Sequence, residues 1–193
     1  MIAVHGPSPT LSFPPPHRGG PCLRLAASLS EQGVSLRAAR DDDMAWLRRL
    51  YHQRRAAEFA PLGWPAAALD AFLDQQFAMQ HQHYTRYYAD AQFLIVERDA
   101  APIGRLYLLR RAPEHLLVDI GLDANERGQG LGAALIAAAQ DDAAASGRGL
   151  RLHVEHGNDA ARRLYQRLGF EHEENLPTHA AMRWRAREPV APA

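Results

Sequence analysis

Lysine is missing altogether: the 22 basic residues of this 193-residue chain are all arginine. Its absence removes the phosphate-gripping lysine of P-loop proteins, the imine-forming lysine of Schiff-base enzymes and the strand lysine of kinases. Cysteine is reduced to Cys22, which excludes an internal disulfide, a cysteine-based zinc site and a Cys-x-x-Cys redox pair. Net charge is also lacking, because 22 acidic residues balance the arginines. A chain built to hold nucleic acid carries a basic surplus, so no nucleic-acid partner is expected. The longest apolar run, Leu131 to Ala139, falls far short of the ~20 residues that cross a bilayer, so no membrane partner is expected either. The N-terminus lacks the charged and then apolar pattern of a signal peptide, and Pro14-Pro15-Pro16 interrupts the candidate region. A cytoplasmic location is the expectation.

What is present divides unevenly along the chain. Residues 1–33 hold Pro7, Pro9, Pro14, Pro15, Pro16 and Pro21 with no sustained period, and are expected to form an unstructured tail. Residues 34–187 read as one domain of the size that buries a full core, and 188–193 as a frayed end. Val34 to Ala38 alternates as a strand, and Asp41, Asp42 and Asp43 supply an N-cap and favourable charge for a helix to Arg55. Pro65 starts a second helix reaching about Tyr88. Strands follow at Gln92 to Arg98, Ile103 to Arg110 and His115 to Leu122, the first two joined by a hairpin turn at Asp99 to Pro102. An alanine-rich helix ends at about Ala145. Leu150, Leu152 and Val154 then alternate with Arg151, His153 and Glu155 as a two-faced strand. Asn158 caps another helix, Gly169 ends it, and the last strands run to about Trp184. The order is βααβββαβαββ.

The most informative stretch runs from Val118 through Arg127-Gly128-Gln129-Gly130-Leu131-Gly132 into the alanine-rich helix. Glycine lets successive backbone N–H groups converge on one point, and a helix N-terminus adds unpaired N–H groups and the positive end of its dipole. Such a turn suits a pyrophosphate, with Arg127 as a fixed charge beside it. Gly128-x-Gly130-x-x-Ala133 also satisfies the dinucleotide-binding fingerprint. Only 65 residues and one further helix follow Gly128, however, and the tight turns before it imply antiparallel pairing. An NAD-dependent oxidoreductase is therefore the weaker alternative.

Arg127-x-x-Gly130-x-Gly132, with Asn158-x-x-Ala161-x-x-Leu164-Tyr165-x-x-Leu168-Gly169-Phe170 downstream, resembles the two landmark motifs of the GNAT N-acetyltransferase superfamily over about residues 34–186. The resemblance implies an α/β fold with a mixed, mostly antiparallel sheet, splayed between the fourth and fifth strands and flanked by helices. It implies acetyl-CoA as cosubstrate, with the pantetheine arm along Ile120, Gly121 and Leu122. The diphosphate would lie on the N–H groups of Gly128, Gln129, Gly130, Leu131, Gly132 and Ala133 beside Arg127, and Asn158 would reach the cofactor. It implies direct acetyl transfer to a primary amine of a small molecule or peptide, with no metal. Dimers are common in this family, so a homodimer is a further expectation. A non-catalytic acyl-CoA sensor on the same fold is the other alternative.

Ala161, Leu164, Tyr165 and Leu168 share one helix face, and the resemblance makes Tyr165 the acid that protonates the departing sulfur. His153, where some members carry a glutamate, is the leading base. Asp119, opposite in parity to Leu116, Val118, Ile120 and Leu122, is expected either to orient His153 or to act as base itself. The early helices carry Trp46, Tyr51, Trp64, Tyr84, Tyr87 and Tyr88, which the resemblance places on the acceptor wall and which otherwise pack those helices. His81-x-His83 points its two side chains apart on a helix and reads as a solvated face, not a metal pair.

Overall fold

A computed structural model describes residues 11–15 and 23–186 of the chain. Its elements are α1 (Ala27–Glu31), β1 (Val34–Ala38), α2 (Met44–Phe59), α3 (Ala66–Tyr87), β2 (Gln92–Arg98), β3 (Ala101–Leu109), β4 (Glu114–Leu122), α4 (Leu131–Ala145), β5 (Gly149–Glu155), α5 (Asp159–Arg167), β6 (Glu171–Asn175) and β7 (His179–Trp184). They fall into two compact units, one holding α2 and α3 and the other holding α1, the strands, α4 and α5.

In the helical unit, Tyr51 and Phe77 are buried with ring centroids 5.9 Å apart, and Phe72 stands edge-on to Phe59 and Trp64 at 5.0 and 5.3 Å. Phe59, Phe72 and Trp64 pack together near the tip of the α2–α3 connection, while Tyr87 stays exposed. His81 corrects one expectation. It is 4 % exposed, its Nε2 lies 2.9 Å from the Ser12 carbonyl oxygen, and its ring meets Phe13 edge-on at 4.9 Å. The sequence pattern of α3 could not show that residues 11–15 would lie across that face.

The seven strands form one sheet in the order β1-β2-β3-β4-β5-β7-β6. Every neighbouring pair is antiparallel except β4 and β5, so the doubly wound dinucleotide fold is excluded. Asp99 and Ala100 both take positive φ in the β2–β3 turn, as a two-residue hairpin whose twist matches its strands requires. On one face Leu94, Leu106, Leu108, Leu117, Leu150 and Leu152 meet Leu131, Leu135, Ile136, Ala139 and Ala143 of α4. Each fully buried leucine or isoleucine contributes about 1.5–3 kcal/mol, and the alanines let the helix lie close.

Leu23 and Leu29 are 4 % and 6 % exposed and belong to the same core. The segment 1–33, expected to be unstructured, therefore supplies α1 and two core leucines. Isolated leucines beside dense proline carry no period to read. Cys22, Pro7, Pro9, Pro16, Pro21 and the end 188–193 lie outside the described residues. Among the described residues no helix is long and apolar enough to cross a membrane.

Candidate active site

Parallel pairing between β4 and β5 begins at Glu114 opposite Gly149 and ends at Leu117 opposite Leu152. Beyond that point β4 stays paired to β3 as far as Leu122 opposite Gly104, while β5 stays paired to β7 as far as Glu155 opposite His179. The sheet is thus split along this seam, and among the described residues Val118 to Leu122 has no strand partner on its β5 side. A bulge helps to open it. The register passes from Leu117 opposite Leu108 to Asp119 opposite Tyr107, which leaves Val118 as the extra residue. An extra residue bends a strand and increases its twist.

The bulge also corrects the expected alternation. Leu117, Ile120 and Leu122 face the core under α4, whereas Leu116 and Asp119 share the opposite face. There Asp119 is ion-paired with Arg105 of β3, a residue 2 % exposed whose guanidinium lies 5.4 Å from the Tyr107 ring centroid. His153, two residues along β5 from the Arg151 that pairs with Leu116, lies on this same face. Arg105 was missed in the sequence, where a lone arginine inside the apolar run Ile103 to Leu109 was the available signal.

From Leu122 the chain enters the glycine loop. Asp123 N–H donates to the Ile103 carbonyl at 2.8 Å, and Asp123 Oδ1 accepts from Asn125 N–H at 3.1 Å. Glu126 is held by Arg98 at 2.8 Å. The start of the loop is therefore tied to the β2–β3 hairpin. Gly128 and Gly130 have φ of +76° and +84°, a region that L side chains resist, and a Cβ on either would meet nothing within 4 Å. Gly130 is the N-cap of α4, and its carbonyl accepts the first helical bond, from Ala134 N–H at 3.0 Å. Among the described residues the N–H groups of Gly128, Gln129, Gly130, Leu131, Gly132 and Ala133 donate to no protein acceptor. Arg127 Nε donates to the Leu122 carbonyl at 3.0 Å, which anchors its guanidinium beside the loop. Converging free amides at a helix N-terminus with an adjacent guanidinium are a chemical match for a diphosphate.

On β5, His153 is exposed on the face opposite the Leu150, Leu152 and Val154 core. Crowding by the surrounding protein, then the Arg151 guanidinium, then His179 push its pKa below the usual histidine value, with Glu174 pulling weakly the other way. These neighbours favour the neutral ring, the form able to accept a proton. Asn158 Oδ1 accepts from Ala161 N–H at 3.1 Å and so caps α5, which leaves its amide nitrogen to face outward contacts. Gln140 Nε2 of α4 donates to the Leu168 carbonyl at 2.8 Å and fixes the end of α5. Tyr165 is 8 % exposed, packed in the core on the α4 face with Phe170 at 5.8 Å. Tyr165 and His153 therefore project from opposite faces of the sheet, the loop opens where β4 ends, and Asp119 belongs with Arg105.

A sequence model described as the acetyltransferase (GNAT) family matches residues 43–170. Among solved structures, PaiA N-acetyltransferase from Thermoplasma acidophilum, in complex with coenzyme A, shares 17 % identity at a TM-score of 0.61, covering 79 % of this chain and 99 % of its own. An acetyltransferase from Thermus thermophilus shares 19 % at 0.58, covering 78 % and 95 %. Arabidopsis thaliana Naa50, in complex with a bisubstrate analogue CoA-Ac-MVNAL, shares 19 % at 0.52, covering 80 % and 99 %. No curated protein sequence matches this chain. With a split mixed sheet, a glycine loop opening into a helix at the split and a family match across residues 43–170, well over half of its length, the chain belongs to the GNAT acetyltransferase family.

Proposed function

We propose that this protein transfers an acetyl group from acetyl-CoA directly to a primary amine of a small molecule or peptide. The observation that carries the reading is the run of unbonded amides from Gly128 to Ala133, set where the β4–β5 seam opens. The diphosphate of the cosubstrate fits those amides and Arg127. The pantetheine arm fits the unpaired edge of β4 at Ile120, Gly121 and Leu122, and Asn158 offers its amide nitrogen from the start of α5. The coenzyme A of the PaiA structure and the peptide-bearing analogue of the Naa50 structure support an amine acceptor and leave both acceptor classes open.

In the transfer, the amine nitrogen attacks the thioester carbonyl, a C–N bond forms and the C–S bond breaks. The amine proton passes to His153, and the Tyr165 hydroxyl gives its proton to the departing sulfur. Holding amine and thioester in line supplies much of the rate. Asp119, engaged by Arg105, serves as a positioning group on the β3 side of the seam.

A thiol-release screen of amines, amino acids and peptides with acetyl-CoA tests the reading. Turnover of at least one amine class is the expected result. Tight acetyl-CoA binding with no turnover of any amine would make the protein a sensor. For the base, kcat/KM rises with pH along a limb centred below the ordinary histidine value of ~6.5, because only the neutral ring accepts the proton. His153→Ala removes that limb, and an unaltered profile in the variant would rule His153 out.

A further inference from the structure

Arg151 of β5 lies directly opposite Arg183 of β7, a placement in which like charges repel. Carboxylates hold the two apart. Glu173 Oε2 lies 2.8 Å from Arg151 Nε and Glu174 Oε1 2.7 Å from its Nη2. Glu114 Oε1 lies 2.7 Å from Arg183 Nε and Glu173 Oε1 2.5 Å from its Nη2. Both Nη1 groups are left without a partner among the described residues. Arg111, exposed in the β3–β4 connection, makes no ion pair or hydrogen bond among them at all. Together with Glu114 these three arginines line a cavity of about 360 Å³ at the foot of the β4–β5 seam.

We propose that this cavity binds a small oxyanion, a molecule carrying carboxylate or phosphate groups, through Arg111 and the spare Nη1 donors of Arg151 and Arg183. Planar guanidinium forks match such groups in geometry as well as charge. Three guanidiniums line the cavity against one carboxylate. Glu173 and Glu174, reaching in from β6, are already spent on Arg151 and Arg183, so among the described residues lining the cavity Arg111 is the guanidinium left without a carboxylate. The volume falls in the range of small-molecule sites and takes a short dicarboxylate or a phosphate ester.

The site has a consequence for His153, two residues along β5 from Arg151 and so roughly 7 Å away. The charged groups acting on that ring are Arg151, His179, Glu174 and Arg111. An anion on Arg111 and Arg151 offsets two of the charges that disfavour the protonated ring, and the His153 midpoint moves up. This coupling holds whatever His153 does in catalysis, and the site stands apart from the acetyl-transfer reading.

Calorimetric titration of the full chain with succinate, inorganic phosphate and acetate, at constant ionic strength in chloride, tests it. Succinate or phosphate saturates the protein, and Arg111→Gln, a change at an exposed residue with no internal partner, weakens that binding roughly tenfold. Saturation by one anion alone identifies its group as the ligand chemistry. The His153 ring-proton titration, followed by NMR, shifts upward under the saturating anion in the parent protein and not in Arg111→Gln. Failure of both anions to saturate, or equal affinity in Arg111→Gln, overturns the proposal. The second result would locate the anion elsewhere, including at the Gly128–Ala133 amides.

Discussion

Gly132→Asp weakens acetyl-CoA binding by about a hundredfold or more without unfolding the protein. Gly132 is the second residue of α4, and a Cβ added there meets only Leu122 Cδ1, at 3.7 Å, within 4 Å. Its backbone is not in the left-handed region, so a side chain costs no strain. A carboxylate in the first turn of a helix is favoured by the dipole by about 0.3–1 kcal/mol, so thermal stability holds or rises. The same carboxylate stands among the amides proposed to hold a diphosphate, and like charges brought together cost several kcal/mol. The dissociation constant should rise by about a hundredfold or more, at 1.4 kcal/mol per tenfold. Gly132→Ala, which adds the Cβ without the charge, should stay within a few fold. Calorimetry on the two variants checks this, and normal affinity in Gly132→Asp would mean that the diphosphate is held elsewhere.

Tyr165→Phe lowers kcat by about 10²–10³ while leaving acetyl-CoA affinity within about twofold. The ring is packed in the core with Phe170 and is 8 % exposed, so phenylalanine keeps the shape and only the hydroxyl is lost. Loss of one hydrogen-bonding group costs about 1 kcal/mol of stability, too little to unfold the domain and visible as a small drop in Tm. The rate is read with an amine that the thiol-release screen turns over, and the affinity separately by calorimetry. A kcat that survives the change would leave Tyr165 as a core residue and assign protonation of the sulfur to solvent or another group. The split between an altered kcat and an unaltered affinity separates a proton donor from a packing residue.

The amino-acid order by itself was enough for the local elements and for the loop. Strands at Val34–Ala38 and Gln92–Arg98 carry their alternation within a few residues, and the end of α4 at Ala145 is marked by Ser146-Gly147. The glycines at 128, 130 and 132 mark in sequence the turn that leads into α4, and the structure gives the first two positive φ. Each of these signals is short-range, set by sterics and by hydrogen bonds that close within one turn or one strand. Tertiary structure alone decided what depends on register and on approach between distant segments. The bulge at Val118 put Leu116 and Asp119 on one face, where Asp119 meets Arg105, fourteen residues back. Residues 11–15 buried His81, and Leu23 and Leu29 joined a core that their proline-rich surroundings gave no sign of. Arg111, Arg151 and Arg183 meet because β4, β5 and β7 are neighbours, although β6 intervenes in the chain. Strand pairing brings together residues far apart in sequence, and one added residue changes which side chains share a face. No periodicity within a single strand records that choice.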